Sequence, residues 1–341
     1  MLHFEFKYHN ISQFMTVHDH IVNSRSLTAY SSLDNELTCS DHQNYLFNLS
    51  SAYGLLAIQG DRADEFLQGQ VSCDVHEVTQ AQIRQGAFCN IKGRVLALTD
   101  IIRWHELLYL IMPKDMLAGM EKMLAKTAVF SKVQIHSVNT FDIYGLYHPK
   151  KDVNMPVPLQ FACEKLKATS NDTYLSYSLA PNLTILVAPV NERNQLEEYF
   201  LQQGQLRGSL AWHLLRLKHG LFEIYPETRG LFLPHRLDLH KSGYLSFNKG
   251  CYKGQEIIAR MHYRSKPKHT LKLLWLTAEE MPQSGKKLFT TDGSQEIGEL
   301  VDFCPAGANR YLAAASMLFE HPMESLLEGH SAPITLEPCN D

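Results

Sequence analysis

The order of elements predicts an α+β protein that ends in a small β-barrel or sandwich. Three observations carry this. Strand-like runs from Gly86 to Ile91, Val95 to Trp104 and Leu107 to Met112 are followed at Pro113 by a helical stripe through Leu117, Met120, Met123 and Leu124. A second, smaller strand-and-helix set follows a proline-punctuated connection at His148 to Pro158. After Pro267 the chain breaks into short strands separated by turns such as Thr291-Asp292-Gly293, the pattern of a closed or sandwiched antiparallel sheet.

In chain order, residues 1–44 read as an N-terminal extension. Within it, residues 10 to 45 are rich in Ser, His, Asn and Gln, have little periodicity and are expected to be poorly ordered. Residues 45–147 form the first α+β part. It opens with a strand at Tyr53–Gly60, and Asp61 is a candidate cap for a helix carrying Ala63, Phe66 and Leu67. The three strands and the helix from Pro113 to about Thr127 follow, then strands near Val133–Val138 and Phe141–Tyr147. Residues 148–266 form the second part: a helix near Leu159–Ala168, strands at Tyr174–Leu179 and Leu183–Ala188, a helix at Glu192–Gln203, and a helix capped by Ser209 through Trp212, Leu215, Arg216 and His219. Residues 267–341 form the terminal barrel.

Composition bounds the function classes. The chain has 341 residues, 45% hydrophobic and 20% charged, with a formal net charge of −4, the profile of a globular protein with room for two or three domains. No run of about twenty apolar residues is present, and Met1–Tyr8 alternates like a strand rather than forming a signal-peptide core. A cytoplasmic location is expected. The seven cysteines (39, 73, 89, 163, 251, 304 and 339) are scattered and odd in number, which suits a reducing compartment and argues against a disulfide framework or a resident cluster. No P-loop, zinc-protease motif or dinucleotide fingerprint occurs, and no metal ligand set is predicted.

One stretch stands out chemically. In Lys249-Gly250-Cys251-Tyr252-Lys253-Gly254-Gln255-Glu256 a cysteine lies between two glycines and two lysines, just ahead of apolar residues at helical spacing (Ile257, Ile258, Met261). A thiol near a helix N-terminus and two cations is favoured as the thiolate, so Cys251 is the candidate catalytic or reactive residue; a small buried hydrophobe is the alternative reading. Between His240 and Lys272 eight Lys or Arg stand against the single acid Glu256. Such a patch suits a phosphate- or carboxylate-rich ligand, with a solvated basic face as the alternative.

The motif resembles the signature of the YgfZ family of folate-binding, tRNA-modification and iron-sulfur proteins, relatives of the glycine-cleavage T-protein, the aminomethyltransferase. The similarity extends over most of the chain from about Tyr45, through Tyr53–Gly60, Phe66–Val71, Val129–Val133 and Ser246-Phe247. It implies two interleaved T-protein-like subdomains and a C-terminal barrel in a three-domain ring around a folate pocket. It also implies Tyr53 and Trp212 as the aromatic partners of a pterin ring, with Arg216 one helical turn on as the cation for the acidic tail. Lys249, Lys253 and Arg260 would hold anionic groups.

The chain departs from the aminomethyltransferases where their catalytic carboxylate stands. Leu96 occupies that place, with Asp100 four residues later and expected to be displaced. Lys218 replaces a family glutamate, and Tyr53 a family tryptophan. The resemblance therefore implies an accessory protein that binds tetrahydrofolate or a related folate. Such a protein would support iron-sulfur cluster assembly or repair and, indirectly, tRNA modification, with assembly proteins or cluster-containing client enzymes as partners. A folate-dependent aminomethyl- or methyltransferase and a direct tRNA-binding protein are the alternatives.

Overall fold

The computed structural model describes residues 16–149, 156–265 and 267–339. The chain begins with a hairpin of β1 (His18–Val22) and β2 (Arg25–Ala29), then a short α1 (Leu33–Leu37). This corrects the expectation of a poorly ordered extension for its described part, residues 16–44; residues 10–15 lie outside the described residues. The polar composition hid an alternation in Arg25-Ser26-Leu27-Thr28-Ala29 that puts Arg25, Leu27 and Ala29 into the interior. Arg25 pairs there with Asp115 at 2.9 Å and with Glu223, tying the hairpin to the rest of the molecule.

The first sheet is built from β4 (Tyr53–Gln59), β5 (Arg84–Cys89), β6 (Val95–Trp104), β7 (Leu107–Pro113) and β8 (Gln134–Val138), in the order β5-β6-β7-β4-β8. Between β4 and β5 lies α2 (Ala63–Gln68), with Arg62 rather than Asp61 at its cap. Between β7 and β8 runs α3 (Lys114–Ser131), which buries Met116, Met120, Leu124 and Ala128 at four-residue spacing. Methionines here fill core space, as the stripe predicts.

The second sheet has the order β10-β11-β12-β9-β3-β13, from β3 (Tyr45–Asn48), β9 (Phe141–Tyr147), β10 (Ala168–Ser170), β11 (Leu175–Ala180), β12 (Leu183–Pro189) and β13 (Leu206–Arg207). Because β3 and β9 flank the chain of the first sheet yet pair in the second, the two α+β parts interleave. No helix forms at Leu159–Ala168. Leu166, at φ +65°, donates its N–H to Ser178 and accepts from Ile83, so sheet-edge pairing overrides the local helical preference. Two helices complete this part: α4 (Arg193–Leu201) and α5 (Ser209–Lys218). Gly208 takes the cap of α5, while the Ser209 hydroxyl accepts the Thr28 N–H at 3.0 Å.

After a 3-10 turn at Pro234–Leu237 and the amphipathic α6 (Gln255–Arg264), six strands close a barrel: β14 (His269–Thr277), β15 (Lys287–Phe289), β16 (Glu296–Gly307), β17 (Arg310–Leu318), β18 (Glu324–Leu327) and β19 (Ile334–Pro338). The ring of pairing is completed by β14 against β19, from Leu274↔Pro338 to Thr277↔Thr335. Asp302 on β16 docks this barrel onto the rest. Its carboxylate, wholly buried, accepts from Tyr225 Oη at 2.6 Å and from the Glu223 N–H at 2.8 Å, with His213 Nε2 3.1 Å away. No helix among the described residues is long and apolar enough to cross a membrane, which says nothing of a β-barrel.

Candidate functional site

The cysteine loop is pinned along residues 68–73. Ser72 gives its hydroxyl proton to the Tyr244 carbonyl at 2.7 Å and accepts the Ser246 N–H on its own carbonyl at 2.9 Å; Lys253 N–H donates to Gly69 at 3.2 Å. The main clamp is Lys249, whose Nζ donates to the carbonyls of Gln68, Val71 and Cys73 at 2.7–2.8 Å. All three ammonium donors thus have acceptors, and burial lowers the Lys249 pKa to about 8. Lys249 is therefore a structural strut rather than a holder of bound anions, which corrects its assignment from sequence.

The glycines are explained by the chain itself. Gly254 caps α6 at φ +87°, and a side chain there would meet the Asn90 carbonyl at 2.5 Å. Facing it, Gly93 at φ +70° in the β5–β6 turn lies against Ile257. Close approach is to the protein's own hairpin, not to a ligand. Tyr252 is buried; its N–H is received by Gln255 Oε1 at 3.1 Å, while its Oη has no hydrogen-bond partner. Cys251 turns outward as an exposed thiol three residues ahead of the helix cap, and Glu256 in the first turn of α6 is exposed as well. Of the seven cysteines Cys251 is the exposed one; Cys73, Cys89 and Cys304 are buried.

A separate, narrow recess, with a cavity volume of about 20 Å³, lies where β4, β6, β7, α3 and α5 meet. Tyr53 and Arg216 line it, the guanidinium 5.5 Å from the Tyr53 ring centre. Arg216 stands 3.7 Å from Glu223, which the buried Arg25 holds from behind. Asp100 lines it too, accepting from Gln85 Nε2 at 2.9 Å and Tyr177 Oη at 2.8 Å. Burial raises the Asp100 pKa, an effect the nearby Arg216 opposes. Tyr53 Oη, Arg216 Nε and Glu223 Oε1 are buried without a hydrogen-bond partner, as are Trp212 Nε1 and Tyr252 Oη outside the recess lining. Tyr53 also borders a second, roomier recess, with a cavity volume of about 200 Å³, that includes Lys114 and Arg193.

The sequence-predicted residues therefore fall into two places. Tyr53 and Arg216 come together in the recess. Cys251, Lys249, Lys253 and Arg260 belong to the loop and α6, and none lines the recess. Trp212 lines neither: it is fully buried, 5.3 Å from Phe47 and pressed onto Gly145, where any side chain would clash with the indole. It stands in the core and not on the recess wall, with its Nε1 lacking a hydrogen-bond partner. Sequence reasoning missed Asp100, which it placed out of reach. Side chains alternate along a strand, so Leu96, Leu98 and Asp100 share one face of β6, and the last two line the recess. That period-two relation was the available signal. Glu223 and Tyr244 carried no comparable mark.

The fold is that of the glycine cleavage T proteins. The crystal structure of glycine cleavage system aminomethyltransferase T from Bartonella henselae matches with a TM-score of 0.72 over 96% of this chain and 94% of its own, at 15% identity, a likeness of fold alone. Sequence narrows the class. The chain is a homologue of proteins named tRNA-modifying protein YgfZ: that of Colwellia psychrerythraea is 29% identical over 252 residues, 71% of this chain and 75% of the relative, and that of Klebsiella pneumoniae is 28% identical over 239 residues, 69% and 73%. No family model matches the chain.

Proposed function

We propose that the protein binds tetrahydrofolate or a related folate in the Tyr53–Arg216 recess and works in the cytoplasm as an accessory to iron-sulfur cluster assembly or repair, serving tRNA modification indirectly. The observation that carries the folate reading is the set of buried, partnerless polar atoms beside an aromatic ring and a guanidinium. A pterin presents a flat face with alternating donors and acceptors at its edge, which is the complement of such a wall. The acidic tail would be drawn to Arg216 or, through the adjoining recess, to Lys114. Cys251, exposed on its pinned loop, would meet a cluster-bearing partner from the outside.

Isothermal titration with tetrahydrofolate tests the first half: saturable binding is expected, weakened at least tenfold in Tyr53→Ala. An unresponsive wild type would remove the folate claim. For the second half, cells carrying only Cys251→Ala should lose activity of cluster-dependent enzymes while the variant remains folded; normal activity would show that the thiol has no such role.

Asp100 favours a second reading, folate-dependent aminomethyl or methyl transfer. A buried carboxyl with a raised pKa can hold a proton beside a bound one-carbon carrier even though Leu96 stands at the usual position. One-carbon transfer to tetrahydrofolate that is abolished by Asp100→Asn would establish it, and no turnover by the wild type would leave the accessory role alone.

A further inference from the structure

The loop that carries Cys251 is bracketed by three imidazoles. His235 sits in the 3-10 turn Pro234–Leu237, His240 three residues beyond that turn, and His262 near the end of α6. Ring centres are 4.7 Å apart for His235 and His240, 5.9 Å for His235 and His262, and 6.4 Å for His240 and His262. His235 is only 3% exposed, yet neither of its ring nitrogens has a hydrogen-bond partner, and Nδ1 of His240 also lacks one. Packing alone accounts for the carbons of these rings. It does not account for two bare nitrogens on a buried side chain, each of which is costly to leave unmet.

We propose that His235, His240 and His262 form a binding site for one divalent first-row transition ion, such as Zn²⁺, held by imidazole nitrogens and joining the two ends of the Cys251 loop. With metal–nitrogen bonds of about 2.0–2.1 Å, two imidazoles on a tetrahedral ion have centres roughly 5 Å apart. His235 and His240 already stand at that spacing. As placed, no group of three His, Cys, Asp or Glu among the described residues has coordination geometry. The His262 ring centre stands 5.9 and 6.4 Å from those of His235 and His240, beyond the roughly 5 Å spacing on a tetrahedral ion, so binding requires it to move inward. Its ring is on the exposed side, stacked on Phe247 at 3.8 Å, and can turn within that stack.

Among the described residues, the carboxylate whose charge acts on His235 and His240 is Asp238, and it is committed elsewhere. Asp238 pairs with Lys241 at 3.1 Å and accepts from Thr270 Oγ1 and the Leu271 N–H, so the donor set is purely nitrogen. Such a set suits zinc, cobalt or nickel rather than magnesium or calcium, which prefer oxygen. Three protein ligands leave a fourth position for water or an incoming donor. Because the ligands precede and follow the loop, an ion would hold the Cys251 segment in place.

The test uses the full chain after chelator treatment, titrated with Zn²⁺ and, for its visible absorption, with Co²⁺. One equivalent is expected, weakened at least tenfold in His240→Ala and again in His262→Ala, and unchanged in Cys251→Ser. These two histidines are chosen because His235→Ala risks the fold. Zn²⁺ should also slow proteolytic cutting between residues 241 and 261. Failure of the wild type to take up metal would overturn the proposal. Uptake that persists unchanged in both histidine variants would do the same, by placing the ion on other donors such as His18 and His20.

Discussion

The cysteine loop and the recess solve opposite problems. In the loop, most polar groups have internal partners: Lys249 holds three carbonyls, Gln255 receives the Tyr252 N–H, and the glycines fit against the β5–β6 turn, with the buried Tyr252 Oη left over. In the recess, Tyr53, Arg216 and Glu223 each leave a buried polar atom without one. The loop is closed largely on itself and turns a thiol outward, whereas the recess gathers polar atoms around an inward-facing space. The most distinctive sequence motif therefore marks the place of presentation, while the receiving site is dispersed over five elements.

The comparison can be broken first at the recess wall. Arg25→Ala strips the near cation from Glu223 and Asp115 and should cost about 3 kcal/mol, because it leaves Asp115 without this partner and buried Glu223 with only the more distant Arg216. Urea unfolding measures it; a loss below 1 kcal/mol would mean that the wall does not depend on the N-terminal hairpin. Next, Gly254→Ala should cost about 2–3 kcal/mol, from a left-handed backbone and a contact with the Asn90 carbonyl. If the variant is as stable as the wild type, the loop is not seated on the hairpin.

Asp100 sharpens the contrast through pH. Its pKa in the folded protein is raised, so the folded state holds its proton more tightly than the unfolded one. That stability is present in full below the unfolded carboxylate pKa of about 3.9 and is lost as pH rises toward and through the folded value. Asp100→Asn removes the loss, and the variant's melting temperature should gain on the wild type as pH rises above about 4. A difference independent of pH would place Asp100 outside the buried wall. Smallest is Cys251→Ser, expected to change stability by less than about 0.5 kcal/mol, as for an exposed side chain without structural partners.

Much of the fold was legible because its signals are local. The β5–β7 strands, the methionine stripe of α3 and the turn-punctuated barrel each obey a single period. What failed depended on distant partners. Leu166 adopts a backbone set by Ile83 and Ser178, more than eighty residues away in one case, and Arg25 is ordered by Asp115 and Glu223. The site followed the same rule. Cys251 could be picked out because its neighbours are contiguous, whereas the surroundings of Lys249 and Trp212 were not legible: the one answers to carbonyls at 68–73, the other to the bare backbone of Gly145. Residue type announced a charge and an aromatic ring, but not whether solvent reaches them.

Whether the motif exists to hold one thiol toward solvent is tested most directly by timed iodoacetamide labelling of the native protein, with each cysteine followed by mass spectrometry. Cys251 should be modified first, while Cys73, Cys89 and Cys304 react only on unfolding. Labelling of Cys251 as slow as that of the buried three would contradict the account.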